Sequence, residues 1–248
     1  MNFLSPYKRK IIYFFKKKIN IDLDTHKKKL SLENLFIKYG SDKASFWRQK
    51  KNNGHGFTKF YLKYFKKIEK KKLNILEIGS YSGASAAALS KFFVKANIFC
   101  LDINISNFIF KSKKIKVFNL DGTKKKDIDT FFKKINVNNL DAYFDIIIDD
   151  GSHKQIDILK SFRILFRNLK PGGLYVIEDY KYPNFFKHLS SNYEPKIDKL
   201  FNFINKKKLI KSSILDRNFQ KKLFLDIDKI NCYRGINKFS NIAFIKKS

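Results

Sequence analysis

Four side chains suited to acid–base or metal chemistry fall where two apolar runs stop. They are Asp150 and His153 in IIIDDGSH (146–153), and Glu178 and Asp179 in GGLYVIEDY (172–180). Carboxylates are hard oxygen donors suited to Mg²⁺ or a similar divalent cation, and an imidazole with an unperturbed pKa near 6.5 is a ready base at neutral pH. The group reads as a metal site formed by Asp150, Glu178 and Asp179, with His153 as general base. Gly151 between Asp150 and His153 gives the imidazole freedom to turn toward the same place. Successive strand residues point to opposite faces, so Glu178 and Asp179 can share an ion only if the chain leaves the sheet there. Tyr180-Lys181-Tyr182-Pro183 is compatible with such a turn. Each residue also has a plainer reading: His153 as a cap for a helix starting near Gln155, Asp149 and Asp150 as strand terminators, Glu178-Asp179 as a solvated strand end. All four being plain at once is the weakest combination.

The elements that must position these groups alternate. LNILEIG (73–79), NIFCLDI (97–103), KIKVFNLD (114–121), FDIIIDD (144–150) and GGLYVIED (172–179) are near-continuous apolar runs of strand length. Between them ASAAALSKFF (84–93), DIDTFFKKI (127–135) and QIDILKSFRILFRNL (155–169) follow helical spacing. Apolar strands separated by helices predict a mostly parallel sheet covered on both faces, a doubly wound α/β fold. KINCYRGI (229–236) and SNIAFIKK (240–247) add an antiparallel hairpin, bringing the sheet to about seven strands. Upstream, Ser31 caps a helix that Gly40 ends, Asp42 to Gly56 reads as a mobile polar loop, and a second helix covers about 57–70. Residues 1–70 are thus an N-terminal helical cap and 71–248 the catalytic domain. Residues 183–225 show helical stretches around 196–208 and are otherwise Lys-rich and mixed.

The turn after the first strand reads Glu77-Ile78-Gly79-Ser80-Tyr81-Ser82-Gly83, with a helix opening at Ala84. Its glycines let the backbone approach a ligand, and ligands of open α/β sheets bind where strands end. The spacing is not G-x-G-x-x-G, which argues for a cofactor without pyrophosphate. Asp102 closes the second strand, where a carboxylate can accept both ribose hydroxyls, and Asp121 closes the third. In this order on consecutive strands, they point to a nucleoside-containing cofactor.

LEIGSYSGAS (76–85), LDI (101–103), NLDGT (119–123), FDIIIDDGSH (144–153) and LKPGGLYVIEDY (169–180) together make the chain resemble class I S-adenosylmethionine-dependent methyltransferases, which have a Rossmann-like fold. The resemblance covers 73–248 and extends to KYGSDK (38–43). It implies that Gly79, Ser82 and Gly83 hold the methionine part of the cofactor, Asp102 the ribose, and Asp121 the adenine end. Glu77 matches the acidic residue of the first motif, and Asp149 is placed with the methionine end. DDGSH paired with a downstream IED narrows the resemblance to metal-dependent sugar O-methyltransferases of the mycinamicin and macrocin type. By that likeness Asp150, Glu178 and Asp179 are the metal ligands and His153 the base that takes the proton of a sugar hydroxyl. The chain departs from those enzymes in a shorter N-terminus and a strongly basic composition, so neither their substrate nor their oligomeric state carries over. His55, downstream of KYGSDK, falls in a segment that closes over the cofactor or is an ordinary surface histidine.

Length and composition set the limits. The chain has 248 residues and 44% hydrophobic content, enough for one large domain with additions. The formal charge of +31 suits phosphate-bearing partners. It is spread from Lys8 to Lys247 and accompanied by abundant Ile, Asn and Phe, so it also fits a compositional bias. Cys100 and Cys232 cannot build a disulfide framework, which points to a reducing cytoplasm. KRKIIYFFKKKI (8–19) is far too short to span a membrane and reads as an ordinary N-terminal helix or, second, as a basic amphipathic helix lying on a membrane surface. The expected function is an S-adenosylmethionine- and Mg²⁺-dependent O-methyltransferase acting on a sugar hydroxyl of a nucleotide-sugar, glycan or glycosylated small molecule. An RNA methyltransferase and a non-catalytic basic binding module are the alternatives.

Overall fold

The computed structural model describes residues 5–25, 29–137 and 141–248. They fall into two compact units, Met1–Asp121 and Gly122–Ser248.

In the first unit, helix α1 (Pro6–Phe15) opens with the Ser5 hydroxyl accepting from the Lys8 amide and with proline in its first turn, where the missing N–H costs nothing. Helix α2 (Leu32–Tyr39) is capped by Ser31 and ended by Gly40 in the left-handed region (φ 83°), as its sequence predicts. Helix α3 spans Thr58–Phe65, shorter than the expected 57–70. Strand β1 (Leu73–Ile78), helix α4 (Ala84–Phe92), strand β2 (Ala96–Leu101) and strand β3 (Ile115–Phe118) follow. The strands are parallel, with Ile75 opposite Ile98 and Ile98 opposite Ile115. Phe36, Tyr61, Phe65 and Phe93 are fully buried, each ring contributing about 1.5–3 kcal/mol relative to exposure. The N-terminal segment is tied to the rest of this unit through a parallel pairing of Ile19–Asn20 with Phe110–Lys111 and through α2 against α4.

Asp42–Gly56 differs from the mobile loop its composition suggests. His55 and Gly56 donate to the Asp42 and Ala44 carbonyls, Gly54 donates to Ser45, and Phe46–Trp47 pairs with Asn52–Asn53. A Cβ at Gly54 would lie 2.2 Å from the Ala44 carbonyl oxygen, so its glycine content serves close backbone approach within a closed loop.

In the second unit, helix α5 (Lys125–Lys134), strand β4 (Phe144–Asp149) and helix α6 (Gln155–Leu165) precede strand β5 (Leu169–Glu178). The helix predicted to reach 169 ends at Leu165 and tightens into a 3₁₀ turn at Phe166–Asn168. Strand β5 begins before the Pro-Gly-Gly stretch, and its pairing with β4 slips between Phe144 and Ile146. Helices α7 (Tyr182–Phe185), α8 (Ile197–Asn205) and α9 (Arg217–Asp226) occupy the Lys-rich region, α8 within the helical stretch expected around 196–208. Strands β6 (Ile227–Arg234) and β7 (Asn241–Lys247) form the expected antiparallel hairpin, with β7 antiparallel to β5. The seven strands form one mostly parallel sheet in the order β6-β7-β5-β4-β1-β2-β3, which is the Rossmann-like fold class expected. Among the described residues no helix is long and apolar enough to cross a membrane.

Candidate functional site

The turn after β1 is held in shape by its own backbone. Gly79, at φ 82°, donates to the Leu101 carbonyl, and the Gly83 amide donates to Ser80. Tyr81, at φ 42°, donates its amide to Asp102 Oδ2 at 2.7 Å. Ser82 accepts from the Ile109 amide through its carbonyl. Gly83 begins α4 in the left-handed region (φ 80°), and a Cβ there would lie 2.4 Å from the Phe108 ring. The glycine is therefore required by the packing of Phe108 as well as by backbone conformation.

The structure thus brings Gly79, Ser82, Gly83 and Asp102 into one assembly. Asp102 stands one residue past β2, its Oδ1 accepting from the Asn104 amide at 2.6 Å. Burial raises its pKa against the opposing pull of the Asn104 and Tyr81 amides and the Arg9 charge. Each oxygen keeps a second lone pair, so the carboxylate can still accept hydroxyls. Glu77 is buried within β1, opposite Cys100 in register. Asp121 lies half-buried beyond the end of β3.

In the second unit, Asp149 ends β4 and is buried. It accepts a short hydrogen bond from the Ser161 hydroxyl of α6 and another from the Gly151 amide at 3.4 Å. Burial drives its pKa up to about 6, against the Ser161 hydrogen bond and the His153 charge. Those contacts make Asp149 a tie between β4 and α6. Asp150 and His153 follow, with Asp150 Oδ1 3.9 Å from His153 Nε2. His153 takes a left-handed backbone (φ 56°), and its ring centroid lies 5.1 Å from that of Tyr182. Helix α6 starts from Lys154 without a side-chain cap, so the reading of His153 as a helix cap is not what the fold uses.

Glu178 is still in the sheet, paired with Ile242, whereas Asp179 has left it at φ 49° and its carbonyl accepts from the Tyr182 amide at 2.8 Å. The departure that two neighbouring carboxylates need in order to face one point is present. Both are nearly inaccessible, at 2% and 4% exposure. The donor chemistry fits a hard divalent cation. Among the described residues, however, no group of three or more His, Cys, Asp or Glu side chains is assembled to hold a metal ion. Glu178 is the last residue of β5, and Asp150 and Asp179 lie in the turns that follow β4 and β5.

Two contributors were invisible in the sequence, and a third was visible only as part of a turn. Arg9 donates at 2.8 Å to the carbonyl of Ile103, 94 residues further along the chain, and brings its charge to Asp102. Ser161 fixes Asp149, with no more signal than a serine on a helix. Tyr182, already noted as part of a turn, backs the imidazole.

The stretch carrying these groups, residues 76–180, matches a family model described as "Methyltransferase domain". By that match the stretch resembles methyltransferase domains. The domain is 32% identical over 132 residues to mycinamicin VI 2''-O-methyltransferase of Micromonospora griseorubida, covering 50% of this chain and 31% of that one. A second relative, L-olivosyl-oleandolide 3-O-methyltransferase of Streptomyces antibioticus, is 32% identical over 155 residues, covering 60% and 36%. The chain thus matches only about a third of the length of these relatives. Among solved structures, MycE methyltransferase in complex with Mg, SAH and mycinamycin VI superposes with a TM-score of 0.65 at 24% identity. That superposition covers 89% of this chain and 55% of the other, and it supports the fold. The resemblance to methyltransferases of the mycinamicin and macrocin type is borne out.

Proposed function

We propose that the chain is an S-adenosylmethionine-dependent O-methyltransferase whose acceptor is a hydroxyl on a sugar, within a nucleotide-sugar, a glycan or a glycosylated small molecule. The observation that carries this reading is the pairing of His153 with Asp150, an imidazole and a carboxylate 3.9 Å apart, in a domain whose relatives are named as O-methyltransferases of mycinamicin VI and L-olivosyl-oleandolide. When bound, S-adenosylmethionine supplies an electrophilic methyl group and a divalent cation supplies Lewis acidity at the acceptor oxygens.

The chain's own residues do the rest. The Gly79–Gly83 turn takes the methionine part, supported by Glu77 from within β1. Asp102 accepts the ribose hydroxyls, and Asp121 serves the adenine end. His153 removes the acceptor proton, and Asp150 stabilises the imidazolium that results. Asp150, Glu178 and Asp179 would hold the cation through their carboxylate oxygens. Asp149 contributes by holding the segment from which Asp150 and His153 project.

Mg²⁺-loaded protein is expected to transfer methyl groups from S-adenosylmethionine to deoxysugar glycosides, to lose that activity in EDTA and to regain it with added Mg²⁺. Turnover unchanged by EDTA would sink the metal assignment, and methylation of RNA but of no glycoside would sink the acceptor class.

A further inference from the structure

Helix α1 is turned inside out relative to an ordinary surface helix. Arg9, Tyr13 and Lys16 occupy its inner face: Arg9 donates to the Ile103 carbonyl at 2.8 Å, Tyr13 packs edge-on to Phe108 at 6.5 Å, and Lys16 donates to the Ser106 carbonyl at 3.0 Å. Tyr7, Ile11, Phe14 and Phe15, at positions i, i+4, i+7 and i+8, share the opposite face. Tyr7, Phe14 and Phe15 are 74%, 77% and 87% exposed. Lys8 and Lys10 flank this stripe, Lys17 follows it, and residues 1–21 contain no acidic side chain. An amphipathic helix normally buries its apolar stripe, because exposed aromatic area gains nothing from water. Here the polar contacts to the 103–106 carbonyls hold the helix in the opposite orientation.

We propose that α1 is an interfacial anchor that lays Tyr7, Ile11, Phe14 and Phe15 into the surface of an anionic phospholipid bilayer, with the lysines at the headgroup phosphates. Large apolar side chains on one face, flanking lysines and the lack of acid match what an anionic lipid–water interface takes up. A second copy of this chain is the poorer occupant. A two-fold contact through this face would set the same lysines against each other on a molecule of formal charge +31. The proposal does not depend on the acceptor class.

The test is flotation of the full chain with vesicles of phosphatidylcholine and phosphatidylglycerol, beside vesicles of phosphatidylcholine alone, using wild type and the double variant F14S/F15S. Both phenylalanines are exposed, so the variant keeps its fold, and circular dichroism checks that. Wild type is expected to float with the anionic vesicles only, and F14S/F15S to lose roughly tenfold or more of that partitioning. Equal partitioning of the two proteins would overturn the proposal by showing adsorption through diffuse charge alone. Failure of wild type to float would overturn it too, as would a lipid-free dimer that F14S/F15S converts to monomer.

Discussion

His153 and Asp179 share an uncommon feature for residues with a side chain, a left-handed backbone at φ 56° and 49°. Such a conformation costs of order 1–3 kcal/mol and persists only where surrounding contacts impose it. One lies in the turn after β4 and the other directly after β5, where the chain leaves the sheet with its chemistry. The residue types were legible from DDGSH and IED, since no apolar strand needs them; the left-handed backbone was not, because neither motif has a glycine at that position. Gly83 shows the same division. Its place in a glycine turn was readable, but Phe108 pressing on it was not. Gly83→Ala adds a Cβ to a residue at φ 80° facing that ring. We expect a loss on the order of 2–4 kcal/mol in urea unfolding; an unchanged midpoint would mean the ring moves aside at no cost.

Elements with a strong apolar period were legible almost to their ends, and those shaped by tertiary hydrogen bonds were not. Strands β1, β2 and β4 stand within a residue or two of their predicted limits because a buried parallel strand must be apolar throughout. Helix α9 went unread because its buried set is Phe219, Gln220 and Leu223, with a glutamine spent on the Ile210 and Leu215 carbonyls. The loop at 42–56 reads as mobile from composition, whereas its order comes from backbone pairing. There His55 Nε2 lies 3.6 Å from Asp42 Oδ2. Burial pushes the Asp42 carboxyl up, yet the His55 hydrogen bond and the Lys43 and His55 charges outweigh it, holding its pKa at about 2 against an ordinary 3.8. A depressed carboxyl pKa contributes stability that is complete above 3.8 and disappears as pH falls toward 2. Wild type should therefore lose stability across that window more steeply than Asp42→Asn in urea titrations at stepped pH; superimposable profiles would remove the pair from the account.

For the whole molecule, the sequence made the α/β class and the seven-stranded sheet readable, while the inverted seating of α1 depends on carbonyls about 90 residues further along the chain. The charge of +31 acts at this scale as well. Self-repulsion among unmatched lysines opposes the compact state and is screened by salt. The melting temperature should rise between low and physiological ionic strength, and a fall would mean that local ion pairs outweigh the net charge. The central claim, that this domain moves a methyl group with His153 as base, is tested most directly by His153→Ala. The measurement is methyl transfer from S-adenosylmethionine to a deoxysugar glycoside, paired with calorimetric titration of S-adenosylhomocysteine. The account predicts that turnover falls by about 10²–10⁴-fold while cofactor affinity stays that of wild type. Full turnover in the variant would contradict it.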